Sequence, residues 1–377
     1  MRPTPRWQRC IVHHDREVSE FARNYFMQQD RTCLLVAGAG FDLRSSDIAG
    51  ILAEVLGSRI RALFIRERRP SPAHDLLRRG DAHAQLLARL VPNSRVADVE
   101  VLSREDRAVI GGHRAVQEIR RDSLSGITDV ILDMSALSVG ISFPIARYLY
   151  EACRHTGIEP NFHVMVASHP RLDAAIASIP YDVVDPVRGF SGRIDLEECE
   201  QEPKIWLPHL SLGRGSALQL IRDKIRGPVD VCPVVPLSQR APRTADRLIA
   251  SFESELYQEW DVDPRNLVYA IEDDPLDLYR TISSIYRRYT GVFSGVIDSH
   301  VVLSPSGSKV LAIGGLMAAL EYDLPVRYVE AVGYEVNWPA AGELESDEKR
   351  LVHVWLHGLP YAEMNGQMNA VATEVAA

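Results

Sequence analysis

The amino-acid sequence predicts an α/β protein that contains two similar units in tandem. Short apolar strands alternate with helical stretches of about ten to fifteen residues, which is typical of βαβ units and parallel sheets. The strands are almost continuously apolar, as expected where helices cover both faces of a sheet. Segments in the second half also resemble segments in the first. The predicted fold is therefore two tandem Rossmann-like, three-layer domains with mostly parallel sheets, related by internal duplication.

The repeat is visible in three pairs of segments. Residues 125–152, SGITDVILDMSALSVGISFPIARYLYEA, align with residues 294–322, SGVIDSHVVLSPSGSKVLAIGGLMAALEY. HRAVQEIRR aligns with YRTISSIYRR, and CLLVAGAGFDLRSSDIAGIL with IWLPHLSLGRGSALQLI. The offset is 166 to 173 residues in all three pairs. We interpret this common offset as one duplication rather than as chance matches.

The elements of each half follow in the same order. After the first strand and its glycine turn, the first half continues with strands at RALFIRE, ADVEVLS, ITDVILD and NFHVMVAS, and the second with strands at PVDVCPVVPL, NLVYAIE, HVVLS and PVRYVEAVGYEV. HHDREVSEFARNYFMQQ is predicted to be a helix, LVHVWLHGL a strand, and the Pro- and Gly-containing stretch near residues 179–204 a linker or an extended ribbon. The predicted boundaries are an N-terminal helical extension at 1–29, domains at 30–190 and 204–345, a linker at 191–203, and a C-terminal strand with a disordered tail at 346–377.

Charge and composition exclude several classes of function. The formal net charge of -9 argues against a surface dedicated to duplex nucleic acid or anionic lipid. No apolar stretch is long enough for a membrane span or a secretory leader, which predicts a cytoplasmic protein. The five cysteines form no C-x-x-C pair, so neither disulfides nor a cysteine zinc site is expected. Cys10, His13 and His14 could supply metal ligands, but no second ligand pair is evident, and no metal site is predicted.

The segment SPSGSK in the second half is the strongest candidate for a ligand contact. The chain has 42 Lys and Arg residues, of which only four are lysines, and one of these is Lys309. Hydroxyl groups, a glycine and a lysine at the end of a parallel strand and the start of a helix suit a phosphate; the residues are Ser304, Ser306, Gly307, Ser308 and Lys309. The simpler interpretation is that Ser308 caps the helix and Lys309 is solvated.

This segment, followed by a small-residue helix and the strand VRYVEA, resembles the CARF family (CRISPR-associated Rossmann fold), and it is similar to the related SAVED domains of bacterial antiphage systems. The resemblance implies a pocket between two such folds for a nucleotide-like ligand such as a cyclic oligonucleotide. It also implies contacts from the turns after the first strand of each half. These residues are Gly38, Gly40 and Asp42 in the first half, and Ser211, Gly213, Arg214 and Gly215 in the second.

The first half departs from the lysine motif. It has Asp133, Ser135 and Ser138 in the corresponding turn, with Ser138 opposite Lys309. We therefore expect one working half and one modified half. No nuclease, protease or helix-turn-helix module is evident, so the resemblance implies a sensor subunit whose effector protein is a separate chain. The sequence does not decide whether the chain forms a homo-oligomer.

The sequence also allows other functions, and it does not identify a cofactor. GAGFDLR resembles the glycine-rich motif of S-adenosylmethionine-dependent methyltransferases, with Glu67 as the acid that would hold the ribose. NAD binding is disfavoured because Leu43 or Arg44 replaces the third glycine of its motif. A ring nuclease could use Lys309 and Arg214 to stabilise developing charge. His113 is expected to be structural, while His209 lies at a strand end near the predicted pocket. Nine arginines form either a polyphosphate-facing stripe or solvated surfaces; they are Arg66, Arg68, Arg69, Arg114, Arg120, Arg121, Arg280, Arg287 and Arg288.

Overall fold

The computed structural model describes residues 5–70, 72–155, 160–192, 200–293, 298–338 and 349–361. Within these ranges the strands are β1 (Ile11–His14), β2 (Cys33–Gly38), β3 (Ile60–Arg68), β4 (Ser94–Glu100), β5 (Asp129–Asp133), β6 (Asn161–Ser168), β7 (Ile176–Pro186), β8 (Lys204–Pro208), β9 (Val229–Val231), β10 (Val234–Leu237), β11 (Val268–Ile271), β12 (His300–Ser304), β13 (Arg327–Val336) and β14 (Arg350–His357). The α-helices are α1 (Arg16–Phe21), α2 (Ser45–Leu56), α3 (His74–Leu90), α4 (Gly111–Ile119), α5 (Val139–His155), α6 (Pro170–Ala175), α7 (Gly215–Lys224), α8 (Thr244–Ser251), α9 (Pro275–Phe293) and α10 (Lys309–Tyr322).

The first sheet has seven strands in the order β1-β14-β6-β5-β2-β3-β4. The five strands from β6 to β4 are parallel, while β14 and β1 add to the β6 edge in antiparallel orientation. The parallel strands are joined by helical crossovers, as the alternating sequence pattern predicts. The order of the strands reverses between β2 and β5, so the loops after these two strands diverge and leave a crevice at their carboxyl ends.

The second sheet follows the same order with shorter strands. β12, β8 and β9 are parallel neighbours, and β10 pairs in parallel with β11. Two parallel bridges, His209 to Val234 and Leu303 to Val326, connect β8 to β10 and β12 to the chain just before β13. The strand order therefore reverses between β8 and β12, as it does between β2 and β5. The fold class is thus the predicted α/β class; the shared order agrees with a duplication, which stays a prediction.

Helices cover both faces of each sheet. An apolar cluster that includes Leu34, Phe143, Leu303 and Ile313 extends from one sheet to the other, with α4, α5, α9 and α10 supplying its helical part. A second cluster lies under α2 on the far side of the first sheet, and a third packs α7 and α8 on the far side of the second. The two units thus share the helical layer between their sheets, which fixes one sheet relative to the other.

A long antiparallel ribbon, β7 paired with β13, joins the two halves. β7 runs through the stretch that was predicted as a linker or an extended ribbon, and its partner is the continuation of the last strand of the second half. The pairing has irregularities between Val329 and Gly333. Four residues of the ribbon, Ile176, Tyr328, Gly333 and Tyr334, lie beside the crevices at the carboxyl ends of the two sheets.

Both terminal segments belong to the first sheet. The predicted strand in LVHVWLHGL is β14, which pairs antiparallel with β6 on one side and with β1 on the other. The predicted N-terminal helix begins only at Arg16, whereas His13 and His14 lie in β1. Between them Asp15 has a positive φ of 46°, at which the chain turns from the strand into the helix. The tail after residue 361 and residues 193–199 of the predicted linker lie outside the described residues. Within the described ranges no helix combines the length and apolarity needed to cross a bilayer.

Candidate functional site

A cavity of about 200 Å³ lies between the carboxyl ends of the two sheets. It is lined by the turns that follow β2 and β5 in the first unit and β8 and β12 in the second, by the end of β3, and by residues of the ribbon. These four turns are the ones at which the strand order of each sheet reverses. Both topological switch points therefore open into one common space, where ligands of open α/β sheets bind.

Lys309 is the first residue of α10 and lines the cavity. Its amine donates a hydrogen bond across the cavity to the backbone oxygen of Leu137, in the other unit. Burial lowers the pKa of Lys309, and the nearby Arg44 guanidinium lowers it further, while Glu67 acts in the opposite direction. Among the described residues no carboxylate is within ion-pair distance of this amine. The amine thus contacts the protein across the cavity, and contact of Lys309 with a ligand stays a prediction.

The turn before Lys309 is built for close approach. Ser308 caps α10 by accepting a hydrogen bond from Leu311 N at 3.4 Å. Gly307 has a positive φ of 84°, and a Cβ there would lie 2.5 Å from the Cβ of Ser211. The turns after β12 and β8 thus touch at Gly307, a position at which only glycine fits without displacement. Ser306 lies beside it on the cavity wall.

The corresponding helix start in the first unit is already occupied by carboxylates. At the beginning of α5, the Ser138 N–H donates to Glu67 Oε1 at 2.7 Å, and the Ser138 hydroxyl donates to Glu330 Oε1 at 3.3 Å. The next residue, Val139, begins α5 as Lys309 begins α10, so Val139 and not Ser138 lies opposite Lys309; the prediction that paired Ser138 with Lys309 is wrong by one residue, because the turn before α5 is one residue longer relative to its strand. Carboxylates satisfy the N–H groups and the dipole at a helix N-terminus as an anionic ligand would. The predicted modified half is thus filled by the protein itself.

A buried guanidinium joins these carboxylates to the ribbon. Arg69 bonds Glu67 at 2.6 Å and lies 3.6 Å from Glu330, and it also donates to Tyr334 Oη at 3.0 Å. Burial raises the pKa of Glu330, although Arg69 opposes that change. A Cβ on Gly140 would lie 2.0 Å from Glu330 Oε1, so the carboxyl group uses the space that this glycine leaves.

A second guanidinium, Arg44, is held by two carboxylates. It bonds Asp42 Oδ2 at 2.6 Å and Asp173 Oδ1 at 2.6 Å. Burial alone would raise the pKa of Asp42, but the charge and hydrogen bonds of Arg44 hold it below its usual value. Arg44 and Arg214 occupy the same position in the two units, just before the first helix after the glycine turn. Arg214 differs in that it contacts the Ser178 hydroxyl of the ribbon instead of a carboxylate.

Aromatic rings form part of the wall. Phe41 and Tyr334 lie with ring centroids 5.4 Å apart, and Arg69 lies 4.9 Å above the Tyr334 ring. Both rings line the cavity, together with Tyr328 of the ribbon. Flat apolar surfaces beside a few fixed polar groups are typical of sites for small molecules that contain a ring.

The cavity brings together most of the residues that the sequence singled out. Nine of the fifteen predicted ligand-contact residues line it: Gly40, Asp42, Ser135, Ser138, Ser211, Arg214, Ser306, Gly307 and Lys309. Six others support the turns without being part of the described lining: Gly38, Asp133, Gly213, Gly215, Ser304 and Ser308.

Asp133 and Ser304 end equivalent strands and are both buried. Ser304 accepts a hydrogen bond from Trp206 Nε1 at 2.9 Å, so its hydroxyl faces the core. Asp133 accepts a hydrogen bond from Ser135 N at 2.8 Å. Burial raises the pKa of Asp133 to about 7. Asp133 and Ser304 therefore hold the start of each turn through side-chain hydrogen bonds on the core side. Gly38, at the end of β2, allows the turn after β5 to approach closely, because a Cβ on Gly38 would lie 2.9 Å from Ala136 O.

Sequence reasoning missed Asp173 and Tyr334, and it gave Arg69 only as a member of a charged stripe. All three reach the cavity through elements outside the repeated motifs, namely α6, the ribbon and the end of β3. The signal that could have found Arg69 is the run RERR at the end of β3, because the carboxyl end of that strand adjoins a switch point.

The structure also shows the contacts of the residues named in the other sequence hypotheses. Both carboxylate oxygens of Glu67 are engaged, by Ser138 and Arg69, so this residue does not present a free acid to a ribose. His209 is buried and lies beside Gly315 of α10. Cys10 donates to Trp355 O at 3.3 Å, whereas His13 bonds His353 at 2.9 Å. The arginines of α4 and α9 are not part of the described lining, whereas Arg66 and Arg68 are.

Comparisons with known proteins give no family. No family model matches the chain, and no curated protein matches it. One solved structure, described as a universal stress protein from Pseudomonas aeruginosa, is similar over 84% of this chain and 97% of its own, with 11% identity and a TM-score of 0.21. A similarity at this level carries no argument about function.

Proposed function

We propose that the protein binds a phosphorylated, nucleotide-like small molecule in the cavity between its two units. The observation that carries the proposal is the environment of Lys309. Its ammonium group is held in the cavity by a neutral carbonyl, and the described residues give it no carboxylate partner. A partly buried cation is stabilised by a counter-charge, and a phosphate at the start of α10 would supply it.

The surrounding groups suit the rest of such a ligand. Arg214 lies on the same side of the cavity, and Ser211 and Ser306 offer hydroxyl groups beside it. The rings of Phe41 and Tyr334 supply flat apolar surface for a base. These residues come from the turns after β2, β8 and β12 and from β13, so the complete set of contacts exists only where the two units meet.

We further propose that binding serves a sensor subunit of a bacterial defence system, with the effector on a separate chain. This role is supported by the sequence resemblance to CARF and SAVED domains. Both units and the ribbon border the same cavity, so a bound ligand would contact all three. A sensor returns its ligand intact, whereas a ring nuclease shortens it.

The test is a matched pair of lysine variants. Lys309→Met removes the amine in the cavity, and Lys224→Met makes the same change at an exposed position at the end of α7. Thermal shift and calorimetry with nucleoside mono-, di- and triphosphates and cyclic oligonucleotides should show that at least one of these compounds binds the wild type and Lys224→Met. Binding to Lys309→Met should be about tenfold weaker or more, because a charge-assisted hydrogen bond is lost.

Two results would contradict the proposal. One is the absence of binding by any of these phosphorylated compounds to the wild type. The other is equal affinity of the two variants, which would place the ligand away from Lys309. Chromatography of the compounds after incubation separates a sensor, which leaves them intact, from a ring nuclease.

A further inference from the structure

The charges around the cavity are divided between its two sides. On the side of the first unit lie four carboxyl groups, those of Asp42, Glu67, Asp173 and Glu330, and two guanidinium groups, those of Arg44 and Arg69. Each guanidinium is shared by two of the carboxyl groups. Among the described residues this side therefore has no cation without a carboxylate, and its carboxyl groups outnumber its guanidinium groups by four to two.

The side of the second unit has the opposite balance. Lys309 and Arg214 line it; the Lys309 amine reaches the neutral Leu137 carbonyl of the first unit, where the carboxylates of Glu67, Asp173 and Asp42 act on it through space, and Arg214 contacts the Ser178 hydroxyl. Within the described residues neither cation forms an ion pair. Arg66 and Arg68 also border the cavity, but both are bound to Asp98 on β4. An anionic group is thus stabilised where the Lys309 amine and Arg214 border the cavity, and it is repelled by the carboxylates of Asp42, Glu67, Asp173 and Glu330.

The size of the cavity points the same way. Pockets that enclose drug-sized ligands have volumes of about 300–1,000 Å³, whereas this one has about 200 Å³. A ring of two or more nucleotides is twice the size of a mononucleotide or larger. Such a ring also has phosphates on opposite edges, so one of them would face the carboxylates of the first unit.

From this division of charge we infer that the site selects a ligand with one phosphate group and about the size of a mononucleotide, and that it discriminates against rings with phosphates on two sides. The inference rests on the proposed function and specifies its ligand class. The phosphate lies at Lys309 and Arg214. The uncharged part of the ligand lies toward Asp42 and Asp173, beside Phe41.

The first experiment compares ligands on the wild-type protein. Isothermal titration calorimetry is run with AMP, ribose 5-phosphate, adenosine, inorganic phosphate and cyclic di-AMP. AMP should bind at least about tenfold more tightly than cyclic di-AMP, with one site per chain. Adenosine, which lacks the phosphate, should bind no more tightly than cyclic di-AMP. Ribose 5-phosphate and inorganic phosphate show whether the base or the phosphate group alone accounts for recognition.

The second experiment changes the acidic side. Asp173→Asn removes one carboxylate charge, keeps an oxygen for Arg44 and leaves Asp42 in place. The matched control is Asp81→Asn, because Asp81 bonds Arg66 at 2.6 Å but is not part of the described lining. The ratio of AMP affinity to cyclic di-AMP affinity should fall several-fold in Asp173→Asn and stay unchanged in Asp81→Asn.

The outcomes separate the two proposals. If cyclic di-AMP binds the wild type as tightly as AMP, the inferred ligand class is wrong while nucleotide binding stands. If adenosine binds as tightly as AMP, the placement of a phosphate at Lys309 is wrong. An unchanged affinity ratio in Asp173→Asn overturns the electrostatic basis of the selection. If no phosphorylated compound binds, the proposed function itself fails.

Discussion

The stability of the protein should depend on pH through the buried imidazole of His209. This side chain is 2% exposed, and neither ring nitrogen has a hydrogen-bond partner among the described residues. Burial lowers the pKa of His209 to about 4, whereas an unfolded histidine titrates near 6.5. As the pH falls below about 6.5, the unfolded chain gains a proton that the folded protein does not take up. The folded state therefore loses stability until the pH reaches about 4.

The magnitude follows from the interval between the two pKa values. Each pH unit is worth about 1.4 kcal/mol for one proton, so the full interval corresponds to roughly 3 kcal/mol and the part between pH 6.5 and 5 to about 2 kcal/mol. His209→Leu removes the titrating group and fills the same space with apolar atoms. Between pH 7 and 5 the variant should lose about 2 kcal/mol less stability than the wild type.

Urea denaturation followed by far-ultraviolet circular dichroism at pH 7, 6 and 5 measures this difference. His83 and His353 are also buried and have lowered pKa values, so the wild type and the variant must be compared at each pH. His74→Leu, at an exposed position at the start of α3, is the control and should keep the wild-type slope. Parallel pH profiles for His209→Leu and the wild type would refute the reasoning.

Two glycines give predictions that rest on close contacts. Gly140→Ala places a Cβ 2.0 Å from Glu330 Oε1. The substitution should lower the free energy of unfolding by about 1–3 kcal/mol because the buried carboxyl group must move. An unchanged midpoint in urea titration would show that this prediction is wrong. Gly307→Ala combines a positive φ with a Cβ 2.5 Å from that of Ser211, so it should separate the two turns and weaken nucleotide binding more than it lowers the melting temperature. Calorimetry and thermal unfolding of this variant test both parts, and undiminished binding would contradict the second.

The sequence was informative about the turns because they are set by local chemistry and by topology. A parallel strand followed by a glycine and then a helix places its turn at the carboxyl edge of a sheet wherever that sheet lies. Gly40, Ser135, Ser211 and Ser306 could therefore be assigned to such edges from the pattern alone. That these edges face one another was implied by the resemblance, since nothing in a strand pattern fixes how two sheets pack.

The parts that could not be predicted depend on pairing between distant segments. β7 pairs with β13 and β14 pairs with β6, and in each case the partners are far apart in the sequence. Antiparallel additions to a sheet edge have no local signature beyond a short apolar run, which is why LVHVWLHGL was predicted as a strand but could not be given a neighbour. The ribbon brings Tyr334 and Glu330 to the cavity, so these residues could not be found from motifs.

The comparison of α5 with α10 shows that two units with the same strand order need not have the same site. The two helices begin at equivalent turns, and each begins after a serine, Ser138 or Ser308. At α5 the next residue is apolar, and carboxylates from β3 and β13 bind the helix start. At α10 the next residue is Lys309, and the helix start faces the cavity. Because a helix N-terminus must be satisfied by a side chain, water or a ligand, an internal carboxylate at one helix removes a competing anion site. Of the two helix starts, only that of α10 has a cation without a carboxylate partner among the described residues, so under the proposed function a phosphate would have one preferred place.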